Sequence, residues 1–277
     1  MRRRLLAAVV AGFLAAGAAC GGTPSKPPPA GERVPSDGSP LRLRIVSYNV
    51  NFGLGGDTAG VRAVADLDPD LVLLQESNDA WAAAFTAGLG GELPHHRFTP
   101  PPDMPAGGMG VLSRWPILAV DQLAPPEDGL FFAWRVVIDA PGGPFQVLNL
   151  HLRPPISKGG SWVVGYFSTG GIREREAAVH AEALDPALPA LVTGDFNEER
   201  GGPAIDLFER RGFTDVLAAF APDRRTWEWP VGGITLRMQL DHLMYDAGWL
   251  AAGAGVADAG RSDHRPVWAD LERAPAP

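Results

Sequence analysis

The chain holds a single cysteine, Cys20, among 277 residues. No intramolecular disulfide can form, so the fold must be held by its core alone. Basic residues are in deficit as well: 24 Lys and Arg face 32 Asp and Glu, a formal net charge of −8. That balance opposes tight, non-specific binding to nucleic acid, which needs Lys and Arg to displace counterions. No apolar run reaches the roughly 20 residues of a transmembrane helix, and no internal repeat is present. What the chain does have is 45% hydrophobic residues, enough at this length for one substantial core.

The first nineteen residues stand apart from that core. Arg2, Arg3 and Arg4 precede an apolar run from Leu5 to Leu14, small residues follow from Ala15 to Ala19, and Cys20 comes next. Charge, apolar stretch and small residues in that order predict an export signal over residues 1–19. Without it, 21 basic residues remain against 32 acidic ones, a net of −11. Residues 20–40 are rich in Pro, Gly and Ser with almost no apolar content, the composition of a flexible tether. The folded domain is then expected over residues 41–273. The position of Cys20 resembles that in a bacterial lipoprotein signal, which implies lipidation of Cys20 and a membrane anchor. An ordinary cleavage site at Gly17-Ala18-Ala19 would give a secreted protein instead.

From Leu41 onward, strand-like and helix-like pieces alternate. LRLRIVSYNV, LVLLQE, GMGVLSRWPI, FFAWRVVID, FQVLNLHL and ALVTGDFN read as strands, followed by strands around LDHLMY and HRPVWADL. Helices are expected over 58–66 with Thr58 as N-cap, over 78–89 with Asn78 as N-cap, over 172–184, and at AIDLFERRG up to Gly212. Hairpin-like pairs among alternating strands and helices predict a mixed α/β sandwich.

Six polar clusters end or adjoin these apolar runs: Asn49, Glu76, His151, Asp195 with Asn197, Asp241 with His242, and Asp263 with His264. Singly, each has a plain structural use. A Gly-Asp pair such as Gly194-Asp195 commonly opens a turn, and a lone histidine is more often a hydrogen-bonded core residue. Together they supply carboxylates for a hard divalent cation and amides and imidazoles for an activated water and a phosphoryl group.

The ordered segments YNVN, LQE, LSRWP, NLH, GDFN, LDH and SDHRPV resemble the endonuclease/exonuclease/phosphatase superfamily, the DNase I-like metal-dependent phosphoesterases, from about Leu41 to Leu271. The resemblance implies a four-layer α/β sandwich, two mixed β-sheets flanked by helices. It implies that Asn49, Glu76 and Asp263 surround the metal, Mg²⁺ or alternatively Mn²⁺ or Ca²⁺. It gives Asp195 the role of activating water, with Asn197 orienting water and phosphate. His264, oriented by Asp241, would meet a phosphoryl oxygen, and His151 would contact the leaving-group side. His242 is read as structural, Arg114 as a substrate contact, and Trp115, Trp134 and Trp268 as core.

Residues 153–171 are the least family-like stretch, and there Trp162 and Tyr166 are candidate substrate contacts beside a second rim at 99–107. Three functions are compatible with this chain. The first is an exported phosphodiesterase acting as a monomer, most readily a nuclease on DNA or RNA. The second is a lipid phosphoesterase acting on a phospholipid head group such as sphingomyelin or a phosphoinositide. The third, a non-catalytic surface-binding lipoprotein, would be expected to show a broken residue set, whereas every position is filled here.

Overall fold

The computed structural model describes residues 40–99, 104–155, 165 and 168–275. The signal and tether, Cys20, Trp162 and Tyr166 lie outside the described residues. In chain order the strands are β1 (Arg42–Asn49), β2 (Leu71–Gln75), β3 (His95–Thr99), β4 (Met109–Ser113), β5 (Ile117–Leu123), β6 (Ala133–Ala140), β7 (Gly143–His151), β8 (Ala190–Asp195), β9 (Thr214–Asp215), β10 (Trp227–Val231), β11 (Ile234–Met238), β12 (Asp241–Tyr245), β13 (Trp249–Val256) and β14 (Val267–Arg273). The α-helices are α1 (Thr58–Ala65), α2 (Asp79–Leu89), α3 (Gly170–Ala181), α4 (Pro203–Arg210) and α5 (Val216–Phe220). Among the described residues, no helix is long and apolar enough to cross a membrane.

Two six-stranded mixed sheets carry the domain, in the orders β13-β14-β1-β2-β4-β3 and β5-β6-β7-β8-β12-β9. Each has one parallel pair at its centre, β1 with β2 and β7 with β8. Those central strands are apolar on both faces because both faces are covered. Leu43, Ile45, Leu71 and Leu73 of the first sheet meet Val136, Phe145, Val147 and Leu191 of the second in the core between the sheets. The alternate residues point outward: Val46, Val72 and Leu74 pack under Val61, Val64, Trp81 and Phe85 of α1 and α2. On the far side Leu148, Leu150 and Val192 pack under Ala177, Ala181, Ile205 and Phe208 of α3 and α4. Helix, sheet, sheet and helix make the four layers expected.

Local departures from the sequence reading have plain causes. Asp57, not Thr58, caps α1, its carboxylate accepting from the Gly60 N–H at 3.2 Å, as acidic caps do. Asn78 caps α2 as expected. The segment GMGVLSRWPI is not one strand, since the chain leaves the first sheet after Ser113 and enters the second at Ile117. The hairpin β10–β11, β3 and β13 were not anticipated.

His180 on α3 is buried with its Nδ1 unpartnered, and burial pushes its pKa from 6.5 down to about 4. As pH falls below 6.5, the unfolded chain takes up a proton that the folded chain refuses until about pH 4. This stability is therefore present above the unfolded pKa and lost as pH falls through that window. Denaturant titrations should show His180 costing up to about 3 kcal/mol at acid pH. His180→Leu should flatten the pH profile there, and parallel profiles for the two proteins would contradict this.

Candidate active site

Strand register builds the site. Asp195 ends β8, and its row pairs with His151 at the end of the parallel neighbour β7 and with Asp241 at the start of the antiparallel neighbour β12. Three chemistry-bearing side chains thus lie in one row of the second sheet, at strand spacings of about 4.8 Å. Glycine is required just before: Gly194 has φ 132°, and a Cβ there would lie 2.0 Å from the Leu150 carbonyl. In the first sheet, the row of Asn49 and Gln75 at the ends of β1 and β2 delivers Glu76 to the same cleft. The sheets are joined just beneath by Gln75 Nε2, which donates to Asn149 Oδ1 at 2.7 Å.

Asp195 is the hub. Its Oδ1 accepts from the Asn197 N–H at 2.9 Å. Its Oδ2 accepts from Asn49 Nδ2 at 3.1 Å and lies 3.5 Å from His264 Nε2 and 3.7 Å from His151 Nε2. Asn49 Nδ2 also donates to Glu76 Oε1 at 3.1 Å, and the Phe52 N–H donates to Glu76 Oε2 at 3.2 Å. Asp263 accepts from Asn51 Nδ2 at 2.9 Å and from Trp227 Nε1 at 3.0 Å. Four non-glycine residues among those described have left-handed φ, and three of them, Asn51, Glu76 and Asn197, lie here. Such backbone persists only where the surroundings over-determine it.

The electrostatics separate the groups. Burial pushes the Asp195 carboxyl up to about 7, with the charge of His264 opposing and that of Asp241 assisting. Burial disfavours the His264 imidazolium, but Asp241 and Asp195 outweigh it and raise the pKa to about 10. His264 Nδ1 lies 2.8 and 3.1 Å from the two Asp241 oxygens, which orients the ring. His151 goes the other way, down to about 3, through burial and then the nearby His264 charge, against a hydrogen bond to the Ala106 carbonyl. It is a neutral imidazole stacked on Phe131, centroids 4.0 Å apart.

Two donor sets here suit a cation. Asp195, Asp241 and His264 offer ligand atoms within 4.8 Å of one another. Glu76 and Asp263 form the other set. They are close enough for Asp263 to help raise the Glu76 pKa, after burial as the main cause. Among the described residues, the hydrogen bonds that these two carboxylates accept come from neutral groups. Two neighbouring carboxylates whose hydrogen bonds come from neutral groups, with the His264 charge acting on both, fit a hard divalent ion, whereas His264 itself lies between Asp241 and Asp195.

All eight residues expected at the catalytic and metal positions converge: Asn49, Glu76, His151, Asp195, Asn197, Asp241, Asp263 and His264. Arg114 does not. It is bound to buried Asp70 at 2.8 Å and follows Ser113, which pairs with Leu71, while Met109 pairs with Gln75 at the site end. Five residues from Met109 at about 3.3 Å each put it roughly 16 Å down the sheet. His242 is structural, with Nδ1 2.8 Å from Asp215 Oδ2 and Nε2 3.1 Å from the Glu198 carbonyl oxygen. Sequence reasoning missed Asn51, Trp227 and Phe131. Asn51 was in view as the second Asn of YNVN, but the other two touch the site only through tertiary contacts.

With this geometry in hand, comparison with known proteins is decisive. The sequence profile of the Endonuclease/Exonuclease/phosphatase family matches residues 46–264. The chain belongs to that family. Its members are metal-dependent phosphoesterases. Among similar solved structures is an endonuclease/exonuclease/phosphatase from Beutenbergia cavernae (17% identity, TM-score 0.66, covering 85% of this chain and 72% of that one). Another is TDP2 of D. rerio complexed with single-strand DNA product (17%, 0.62, 83% and 98%). A third is a mannosyl-6-phosphatase of Bacteroides thetaiotaomicron (18%, 0.62, 83% and 99%). At these identities the likeness shows the shared fold. No curated protein matches the chain.

Arg114→Ala should lower stability by about 1–3 kcal/mol, because buried Asp70 loses a hydrogen-bond partner. KM for bis(p-nitrophenyl) phosphate should stay within roughly twofold. A KM raised tenfold or more would return Arg114 to the substrate.

Proposed function

We propose that this chain is an exported hydrolase of phosphodiester bonds, in which Asp195 accepts the proton of the attacking water. The observation that carries this is the position of Asp195 Oδ2 among Asn49, His151 and His264. A carboxyl group poised near neutrality suits a general base, since proton transfer is most effective when the pKa lies near the working pH.

Asn197 holds Oδ1 of Asp195 through its backbone N–H and ties its own side chain to the Leu152 carbonyl at 2.9 Å. That leaves Oδ2 toward the cleft and the Asn197 amide beside it to orient water and phosphate. His264, kept cationic by Asp241, stabilises charge on a phosphoryl oxygen, an electrostatic role a positioned donor performs without reorganising. Neutral His151, clamped by Phe131, serves as a hydrogen-bonding partner on the leaving-group side. A divalent cation, Mg²⁺ with Mn²⁺ or Ca²⁺ as alternatives, would be held by Glu76 and Asp263 beside Asn49 and would neutralise charge on the phosphate.

Nucleic acid is the first substrate reading, supported by the DNA product bound to a similarly folded protein. A phospholipid head group is the second, favoured by the uncharged apolar rim described below. Export, by lipoprotein anchor at Cys20 or by secretion, is supported by the order of charge, apolar run and small residues in the sequence. A monomer is the expected state.

Purified protein should be assayed on DNA, RNA, sphingomyelin and phosphoinositides with Mg²⁺ and with EDTA. At least one substrate should be cut, with activity abolished by EDTA and by Glu76→Ala. Asp195→Asn should lower kcat by about 10²–10⁴ with little change in KM. Chelator-resistant turnover, or none on any substrate, would refute the proposal.

A further inference from the structure

The hairpin β10–β11 is amphipathic in a way the chemistry above does not use. Its register pairs Trp227 with Met238, Trp229 with Leu236 and Val231 with Ile234. Directly opposed residues share a face, so six apolar side chains line one side of this ribbon. The other side carries Glu228 opposite Arg237, ion-paired at 3.4 Å, and Pro230 opposite Thr235. Gly232 and Gly233, both at positive φ, close the tip, as a two-residue hairpin turn demands.

Only the base of the apolar side is covered. Trp227 is 6% exposed, whereas Trp229, Val231 and Ile234 are 48, 47 and 45% exposed. These three are among eight large apolar side chains exposed on the described surface, so the clustering at one tip is not the ordinary scatter of surface hydrophobics. The base is fixed to the active-site loop: Trp227 Nε1 and the Glu228 N–H donate to the Asp263 side chain and carbonyl, and Arg265 bonds Glu228 Oε1 at 2.6 Å. Whatever the tip contacts is therefore held at a fixed place about four residues along the ribbon, roughly 13 Å, from the base at Asp263.

We infer that this apolar face seats the domain on a lipid bilayer, next to the phosphoester site. The six side chains on this face carry no positive charge and the protein is net acidic, which is unsuited to a polyanion such as nucleic acid. Exposed tryptophan and aliphatic side chains without charge suit the boundary between head groups and acyl chains. The sequence ahead of the domain agrees, because residues 1–20 carry the order expected of an anchored protein. β1 enters the sheet at Arg42, the end away from the site, and reaches it seven residues later at Asn49, roughly 23 Å. The twenty residues 21–40 span at most about 70 Å, enough for a chain anchored at Cys20 to present its site end to the same bilayer. The inference rests on the phosphoesterase reading for the bond that is cut, which would then be a head-group ester, but not for the docking itself.

The test uses the whole chain carrying Cys20→Ser, so that no acyl chain contributes, with and without the triple substitution Trp229→Ser, Val231→Ser and Ile234→Ser. Sedimentation with phosphatidylcholine vesicles should show at least about tenfold weaker partition for the triple variant, with Trp229→Ser alone in between. Hydrolysis of bis(p-nitrophenyl) phosphate in solution should be equal in all three, which also reports that they fold. Equal partition of all three proteins would overturn the inference. So would a shift from dimer to monomer in the triple variant without a vesicle effect, which would make a second copy the occupant. A partition difference without any soluble hydrolysis would uphold the docking and sink the phosphoesterase reading.

Discussion

The proposed chemistry depends on one buried carboxylate, Asp195, with a pKa raised to about 7. Asp195 sits at the end of a central strand, nearly all of it buried, and burial is the main force raising its pKa. The imidazolium of His264 offsets that penalty, and Asp241 in turn offsets the cost of burying the imidazolium. None of the three could be buried in its working state without the others. Such a chain of charges is expensive if any member is lost, which is why they sit in neighbouring strands of a rigid sheet.

That constraint reaches far into the fold. His151, Asp195 and Asp241 share a row because β7 runs parallel and β12 antiparallel to β8, and a one-residue slip would turn a side chain to the other face. The second half of the candidate site arrives from the other sheet, so the separation of the sheets sets the width of the cleft. The hydrogen bond from the Gln75 side-chain amide to that of Asn149 spans that gap directly under the cleft. Left-handed backbone at Asn51, Glu76 and Asn197 turns the chain sharply out of the strands, so that side chains at the ends of buried runs face the cleft.

Much of this was legible in the sequence. Runs such as LVLLQE end in a polar residue because the strand is buried on both faces and the chemistry begins where burial stops. The convergence of Asn49, Glu76, Asp195 and Asp263 on one cleft could be anticipated from that pattern and the ordered motifs, while the roles expected of them came from the family resemblance. What was not legible came from tertiary context. Arg114 was misplaced because a motif does not say which end of a strand it occupies, and here it closes the end away from the cleft. The β10–β11 hairpin escaped notice because Pro230 interrupts the short alternating run Trp227–Val231, although its place in a two-stranded ribbon outside both main sheets tolerates it. Trp227 and Phe131 touch functional groups only through folding. The capping of α1 differed by one residue because Asp57 and Thr58 are both competent caps.

The central claim is that proton handling and cation binding are divided: Asp195, Asp241 and His264 hold the proton, while Glu76 and Asp263 hold the cation. Anomalous diffraction from crystals soaked in Mn²⁺ measures this directly. The account predicts one peak in contact with Glu76 and Asp263 and none bounded by Asp241 and His264. A peak coordinated by His264 and Asp241, with Glu76 and Asp263 bare, would contradict it.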